Sequence, residues 1–194
     1  MKRLLLIPLI LGFTSPLLAE RINHLPIRDV DSKDGYLVST FFNYRTKNEV
    51  IYFENAMYKF NAADYIGAIK DFTKAIKLNP YNPKYFNNRG FTKYHLQEYK
   101  GAISDYTIAI ELNPDDSMYF DNRGTSKSQL KDYAGAIKDY SKAIELNPND
   151  SVYFGNRGNS KHYIKDYKGA IKDYSKAIEL NPDNSVYFGN RGNS

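Results

Sequence analysis

Asparagine stands at 88, 122, 156 and 190, four side-chain amides at a constant interval of thirty-four residues. Each amide carries both a donor and an acceptor, the pair needed to satisfy one peptide unit of a bound chain. Arg89, Arg123 and Arg157 recur at the same interval, each followed sixteen residues later by an acid: Asp105, Asp139 and Asp173. These are the residue types of an ion pair, and the fixed spacing points to a structural role. Catalysis finds no comparable set. His24, His95 and His162 share no metal-ligand spacing, and the chain has no cysteine, which excludes disulfides, thiol catalysis and Cys-based metal sites. The stretch DVDSKDG at 29–35 hints at a calcium loop. Lys33, however, fills the third ligand position counted from Asp29, and Thr40 stands where the terminal acid belongs. No catalytic residue, metal site or cofactor is expected, and the chain reads as a non-enzyme.

The elements that must hold these residues follow from composition and period. Of the 194 residues, 42% are hydrophobic and 25% charged, enough apolar surface for a core. The first 19 residues, MKRLLLIPLILGFTSPLLA, have a basic start at Lys2 and Arg3, an apolar stretch and a small residue, Ala19, before the first acid. That is the layout of a secretory signal peptide cleaved after Ala19, and the apolar stretch is short for a membrane span. An exported protein with no stable membrane insertion after cleavage is expected, whether periplasmic, lumenal or extracellular. Without Lys2 and Arg3 the net charge falls from +5 to +3, spread along the chain, which is no nucleic-acid footprint.

Asn-Pro pairs at 79–80, 113–114, 147–148 and 181–182 mark a strict thirty-four-residue period, and such a period dictates a stacked architecture. Within it, Tyr133, Ala136, Ile137, Tyr140, Ala143 and Ile144 recur at three- and four-residue spacing, an apolar helix face. Pro148 cannot continue that helix, and Asp150-Ser151 offers the next N-cap. The 18 tyrosines and 11 phenylalanines are thereby explained, since most fall at repeated packing positions. The expected divisions are a signal at 1–19, an N-terminal arm at 20–48, repeats at 49–82, 83–116, 117–150 and 151–184, and the start of a fifth at 185–194. The arm shows no helical period, and DGYLVSTFF within it reads as a short strand or an extended segment.

The skeleton resembles the tetratricopeptide repeat family. Counted from Pro83, Ser117 and Ser151, the family's large residue at position 4 is Phe86, Phe120 and Phe154, and its small residue at position 8 is Gly90, Gly124 and Gly158. Position 17 is Tyr99, Tyr133 and Tyr167; positions 20 and 27 are Ala102, Ala136, Ala170 and Ala109, Ala143, Ala177; position 32 is Pro114, Pro148 and Pro182. The register from Glu49 fits through Tyr52, Ala56, Tyr65, Ala68, Ala75 and Pro80. One departure recurs: position 11, often Tyr in the family, is Lys59, Lys93, Lys127 and Lys161. The resemblance covers 49–194 and implies an all-α, right-handed α-solenoid of stacked antiparallel helix hairpins, with Arg89–Asp105, Arg123–Asp139 and Arg157–Asp173 paired inside their hairpins.

The same resemblance implies peptide binding in a concave groove lined by the first helix of each repeat. Asn88, Asn122, Asn156 and Asn190 then form a ladder for an extended chain, and Tyr94, His95, Gln129, His162 and Tyr163 give a neutral, aromatic-polar lining. A basic clamp for a terminal carboxylate, another groove chemistry of the family, needs cations that this chain supplies only at Lys84. The expected function is a non-catalytic scaffold or adapter for other proteins or extended peptides, without nucleic acid. Two rival classes are a substrate-holding arm of a larger enzyme whose catalytic part lies beyond 194, and a purely structural array. The closing SVYFGNRGNS repeats 151–160 and stops inside a helix. If about 300 Å² of the preceding helix is left uncovered, about 7 kcal/mol of gross burial is forgone at ~25 cal/mol per Å². Either the natural array runs on, or self-association through the open end is expected.

Overall fold

The computed structural model describes residues 32–194, which are helical throughout apart from short turns. In order the helices are α1 (Ser32–Asn61), α2 (Tyr65–Leu78), α3 (Pro83–His95), α4 (Tyr99–Leu112), α5 (Ser117–Gln129), α6 (Tyr133–Leu146), α7 (Ser151–Tyr163), α8 (Tyr167–Leu180) and α9 (Ser185–Gly192). The chain divides into two units, Met1–Phe42 and Asn43–Ser194. Of the first, residues 32–42 are described, and they are helical. The signal reading at 1–19 and the calcium-loop residues Asp29 and Asp31 lie outside the described residues.

One expectation is corrected here. DGYLVSTFF is neither strand nor extended arm but part of the thirty-residue α1. The absence of a helical period leaves strand or extended segment as the expectation, yet its β-branched Val38 and Thr40 cost only a few tenths of a kcal/mol each in a helix. Once a helical turn exists, every added residue gains a hydrogen bond without a new nucleation cost. A periodic apolar face is not required for that extension.

Within Asn43–Ser194 the helices alternate as first (A) and second (B) members of hairpins: α3–α4, α5–α6 and α7–α8, with α2 packed on the end of α1 and α9 on α8. Each hairpin turn is tight because the second residue after the A helix adopts a left-handed conformation: Ala63, Gln97, Lys131 and Lys165 have φ of 60°, 61°, 63° and 64°. The backbone then folds back on itself. Lys165 N–H donates to His162 O and Asp166 N–H to Lys161 O, both at 2.9 Å, closing the orphan carbonyls of the helix end. The B helix starts at once. Asp64, Asp132 and Asp166 accept from the N–H three residues on, while Glu98 makes no such side-chain bond; its carboxylate sits one methylene further from the backbone.

Helix B ends at the Asn-Pro pair. Asn79, Asn113 and Asn147 side chains accept from the N–H two residues on, an Asx turn that redirects the chain. Asn82, Asp116, Asp150 and Asn184 then cap the next A helix. The core repeats with the sequence. Phe86, Ala109 and Tyr119 are buried together, then Phe120, Ala143 and Tyr153, then Phe154, Ala177 and Tyr187. In every set the phenylalanine and alanine belong to one hairpin and the tyrosine to the next A helix, so the same cluster closes a hairpin and stacks it. Fully burying each ring contributes about 1.5–3 kcal/mol.

Candidate functional site

The ion pairs come first, because they set the rotation of helix A against helix B. Arg123 Nε donates to Asp139 Oδ2 at 3.0 Å and its Nη2 to Oδ1 at 2.7 Å. Arg89–Asp105 and Arg157–Asp173 have the same geometry. The structure also gives the recurrent lysine a place: Lys93, Lys127 and Lys161 reach the other face of the same carboxylates at 2.7–2.8 Å. The remaining guanidinium N–H bonds the preceding B helix, at Thr73, Thr107 and Ser141 Oγ. One arginine thus ties its own hairpin together and fastens it to the hairpin before. In α1 the corresponding residue is Asn55, and Lys59 and Lys74 flank Asp71 instead. Burial raises the Asp71 carboxyl, but the bonds from Lys59 and Lys74 outweigh it and hold the group below its ordinary value.

With the ion pairs turned inward, the other side of the A helices lines a hollow. A cavity of about 630 Å³ opens between α5, α7 and α9. Gln129, Asn156, His162, Tyr163 and Asn190 line it, joined by Thr125, Ser128, Lys131, Asn159 and Asn193 of the A helices and turns and by Tyr133 at the start of α6. Its floor is made by Tyr140 and Tyr174 from the B helices. Their rings pack against Gly124 and Gly158, where an added Cβ would lie 2.9 Å and 2.8 Å from the ring. Each ring therefore passes under the A helix, and its hydroxyl emerges in the hollow. Tyr140 Oη donates to Thr125 Oγ1 at 3.2 Å and Tyr174 Oη to Asn159 Oδ1 at 2.8 Å. Burial drives both phenols upward, Tyr174 to about 12, so both are neutral donors at any physiological pH.

These two tyrosines were read from the sequence as core alone. They are core by their rings and lining by their hydroxyls, and the signal that distinguishes the two is the polar residue at 125 or 159, fifteen residues earlier. Tyr106 has the same buried ring, but Phe91 stands in the equivalent place. Lys131 is the single cation in the lining. At one rim Tyr133 and Tyr163 stack face to face, centroids 4.7 Å apart and planes within 9°, and Tyr163 is 63% exposed.

The asparagine row is partly engaged. Asn122 Nδ2 donates to Asn87 Oδ1 and Asn156 Nδ2 to Asp121 Oδ1, each at 3.0 Å, joining successive A helices. Gly155 offers no acceptor, so Asn190 turns to Asn159 Oδ1, also at 3.0 Å. Asn88 bonds only Lys84 O of its own helix, at 2.7 Å. Each amide has a second N–H and a carbonyl oxygen besides. His95 lies elsewhere, inside an aromatic cluster with Phe60, Tyr65 and Phe91 at 4.7–5.5 Å between centroids. Tyr94 is at its edge, 6.1 Å from His95, and its Oη accepts from Gln129 Nε2 at 3.4 Å. Lys84 is exposed at the start of α3. Among the described residues no three His, Cys, Asp or Glu side chains gather as a metal ion would need, and no helix is long and apolar enough to cross a membrane.

Stacked hairpins fastened by a repeated ion pair, with the A helices facing a polar hollow, define a helical-repeat solenoid. The family model of the tetratricopeptide repeat matches residues 122–150 and 151–184. Solved structures share the fold. The crystal structure of MamA protein superposes with a TM-score of 0.73 at 21% identity, covering 76% of this chain and 80% of that one. MamA 41-end from Desulfovibrio magneticus RS-1 gives 0.72 at 16%, over 75% and 82%. The first tetratricopeptide domain of Spaghetti (RPAP3), bound to the HSP90 peptide SRMEEVD, gives 0.60 at 26%, over 61% and 94%. No curated relative matches the chain.

Proposed function

We propose that the chain is an exported, non-catalytic scaffold that holds an extended segment of another protein against its A helices. The observation that carries this reading is the cavity between α5, α7 and α9, where five amide side chains and two tyrosine hydroxyls converge with a single cation. Amides and hydroxyls match the alternating donors and acceptors of a peptide backbone without demanding a particular side-chain charge. A solved neighbour of the same fold holds a peptide, which supports the use of such a face for peptides. That peptide, SRMEEVD, is acidic; Lys131 alone would make a poor clamp for it. Export rests on the residues before Glu20, and N-terminal sequencing of the protein from its native source would begin at Glu20 if cleavage occurs there.

The test of the groove is binding to an immobilised library of random seven-residue amidated peptides, comparing the native chain with the Asn88→Ala, Asn122→Ala, Asn156→Ala triple variant. Loss of peptide retention is the supporting outcome. Because Asn122 and Asn156 also join helices, Asn88→Ala alone is run beside it. Asn88 and Asn122 are not among the cavity's lining residues, so this single variant tests the ladder beyond the cavity, and circular dichroism shows that each variant keeps its helices. Undiminished retention by a folded triple variant removes the asparagine ladder from the reading.

A further inference from the structure

Asp121 lies on α5 one turn before Thr125, and Thr125, Ser128 and Gln129 of that helix line the cavity. Residues four apart share a helix face, so the stripe that faces the hollow runs on to Asp121. The carboxylate is held at the cavity's edge, Oδ1 accepting from Asn156 Nδ2 at 3.0 Å, and Asn156 itself lines the cavity.

The environment leaves this carboxylate uncompensated. Asp105, Asp139 and Asp173 each hold one arginine and one lysine. Among the described residues no cation pairs with Asp121; the charge acting on it is the like-signed Asp150, at the start of α7. The Asp121 charge reaches Tyr106 from α4, Tyr140 from α6 and Tyr153 from α7, each with its phenol pushed up, first by its own burial and in part by that charge. Burial, with Asp150 adding to it, pushes the Asp121 carboxyl up to about 6 against the lowering bond from Asn156.

The helix-to-helix joint does not need a charge. One repeat earlier Asn87 occupies the same place and accepts the same 3.0 Å bond from Asn122; one and two repeats later the residues are Gly155 and Gly189. An amide would serve the structure as well, without a buried charge. A carboxylate left unpaired here costs stability, and that cost is offset when a cation comes to it.

We propose that Asp121 reads charge in the groove: its carboxylate receives the ammonium or guanidinium of a lysine or arginine on the bound segment. This rests on the peptide-binding reading above and deepens it by giving the partner one required basic residue. The tyrosines that line the cavity favour the same guest, since the negative ring face and the hydroxyl oxygens both attract cations. The native solenoid and Asp121→Asn are passed over the same immobilised peptide library, and retained peptides are sequenced. Asp121→Asn keeps the joint because Asn87 shows that an amide fits it.

The supporting result is Lys or Arg enriched at one position by the native chain, with the variant still retaining peptides but losing that preference. For a charge-assisted bond, a peptide with that lysine should bind about tenfold to a hundredfold tighter than its norleucine analogue, and the ratio should fall toward one in Asp121→Asn. If both proteins retain the same peptides with no basic position, Asp121 reads nothing and the groove reading survives alone. If neither protein retains any peptide, the groove reading fails and this inference falls with it.

Discussion

Arg123 and Asp139, sixteen residues apart, meet through two parallel hydrogen bonds of 3.0 Å and 2.7 Å, and Lys127 closes the far side of the carboxylate at 2.7 Å. Asp139 is 4% exposed, so its charge depends on both cations. A lone tyrosine at the lysine position would leave the arginine as its sole counter-charge. Lys93 and Lys161 complete the same triad with Asp105 and Asp173.

Arg123→Ala should therefore be far more costly than a surface charge change. It strands a buried carboxylate on one lysine and also breaks the bond to Thr107, for a loss of about 3 kcal/mol in urea unfolding. Lys142→Ala, which breaks the exposed pair with Glu145, should cost less than about 0.5 kcal/mol. Similar losses for the two would mean that Arg123 packs rather than pairs.

Gly124 sets the height of Tyr140. A methyl there would stand 2.9 Å from the ring, and the ring, 2% exposed, has no open side to move into. Gly124→Ala should lower stability by about 1–3 kcal/mol despite alanine's better helix propensity. A stabilised Gly124→Ala would show that the helices part without penalty.

Lys165 holds φ of 64°, a conformation that costs most residues about 1–2 kcal/mol and glycine almost nothing. After glycine's greater loss of chain entropy, Lys165→Gly should raise stability by about 0.5–1 kcal/mol. Lys168→Gly, on the exposed face of α8, should lower it by a similar amount. Thermal unfolding of both variants reads the contrast, and a loss in both would remove strain from the account of the turn.

Asp121 makes stability fall as pH rises. The unfolded carboxyl titrates near 3.8 and the folded one near 6, so between these values the folded chain holds more protons. Below 3.8 the group costs nothing; above 6 the folded state carries the full penalty of a buried charge. The groups acting on it are the Asn156 amide and Asp150 from the α7 side, and its own charge is felt by the Tyr106, Tyr140 and Tyr153 phenols. Asp121→Asn should match the native chain at pH 4 and exceed it at pH 7 by about 1–3 kcal/mol. A difference independent of pH would mean that the carboxylate is well solvated.

Tyr140→Phe removes one hydroxyl from the hollow and leaves the packing. Stability should drop by about 1 kcal/mol at most, for the lost bond to Thr125. Retention of library peptides should drop several-fold. Equal retention would place Tyr140 outside the binding surface.

The fold class was legible in the sequence because a period of thirty-four residues with Asn-Pro punctuation admits one kind of solution: identical hairpins that must stack to bury their faces. Local spacing alone placed Ala143 and Tyr140 in the core, and the resemblance to the repeat pattern added Phe120. Spacing did not reveal that α1 reaches back to Ser32, since that segment has no periodic face to read. The site was less legible, because it depends on which atoms of a packed residue emerge. Tyr140 and Tyr174 look like core at every residue of resolution, and only the glycine contacts and the hydroxyl partners at Thr125 and Asn159 bring them into the hollow. His95 and His162 fell together as groove candidates, yet His95 is enclosed by Phe60, Tyr65 and Phe91 while His162 lines the cavity. The lone charge of Asp121 likewise has no mark in the sequence. A chain tells which residues repeat; which carboxylate lacks a cation is decided only when neighbouring hairpins bring their lysines and arginines to the others.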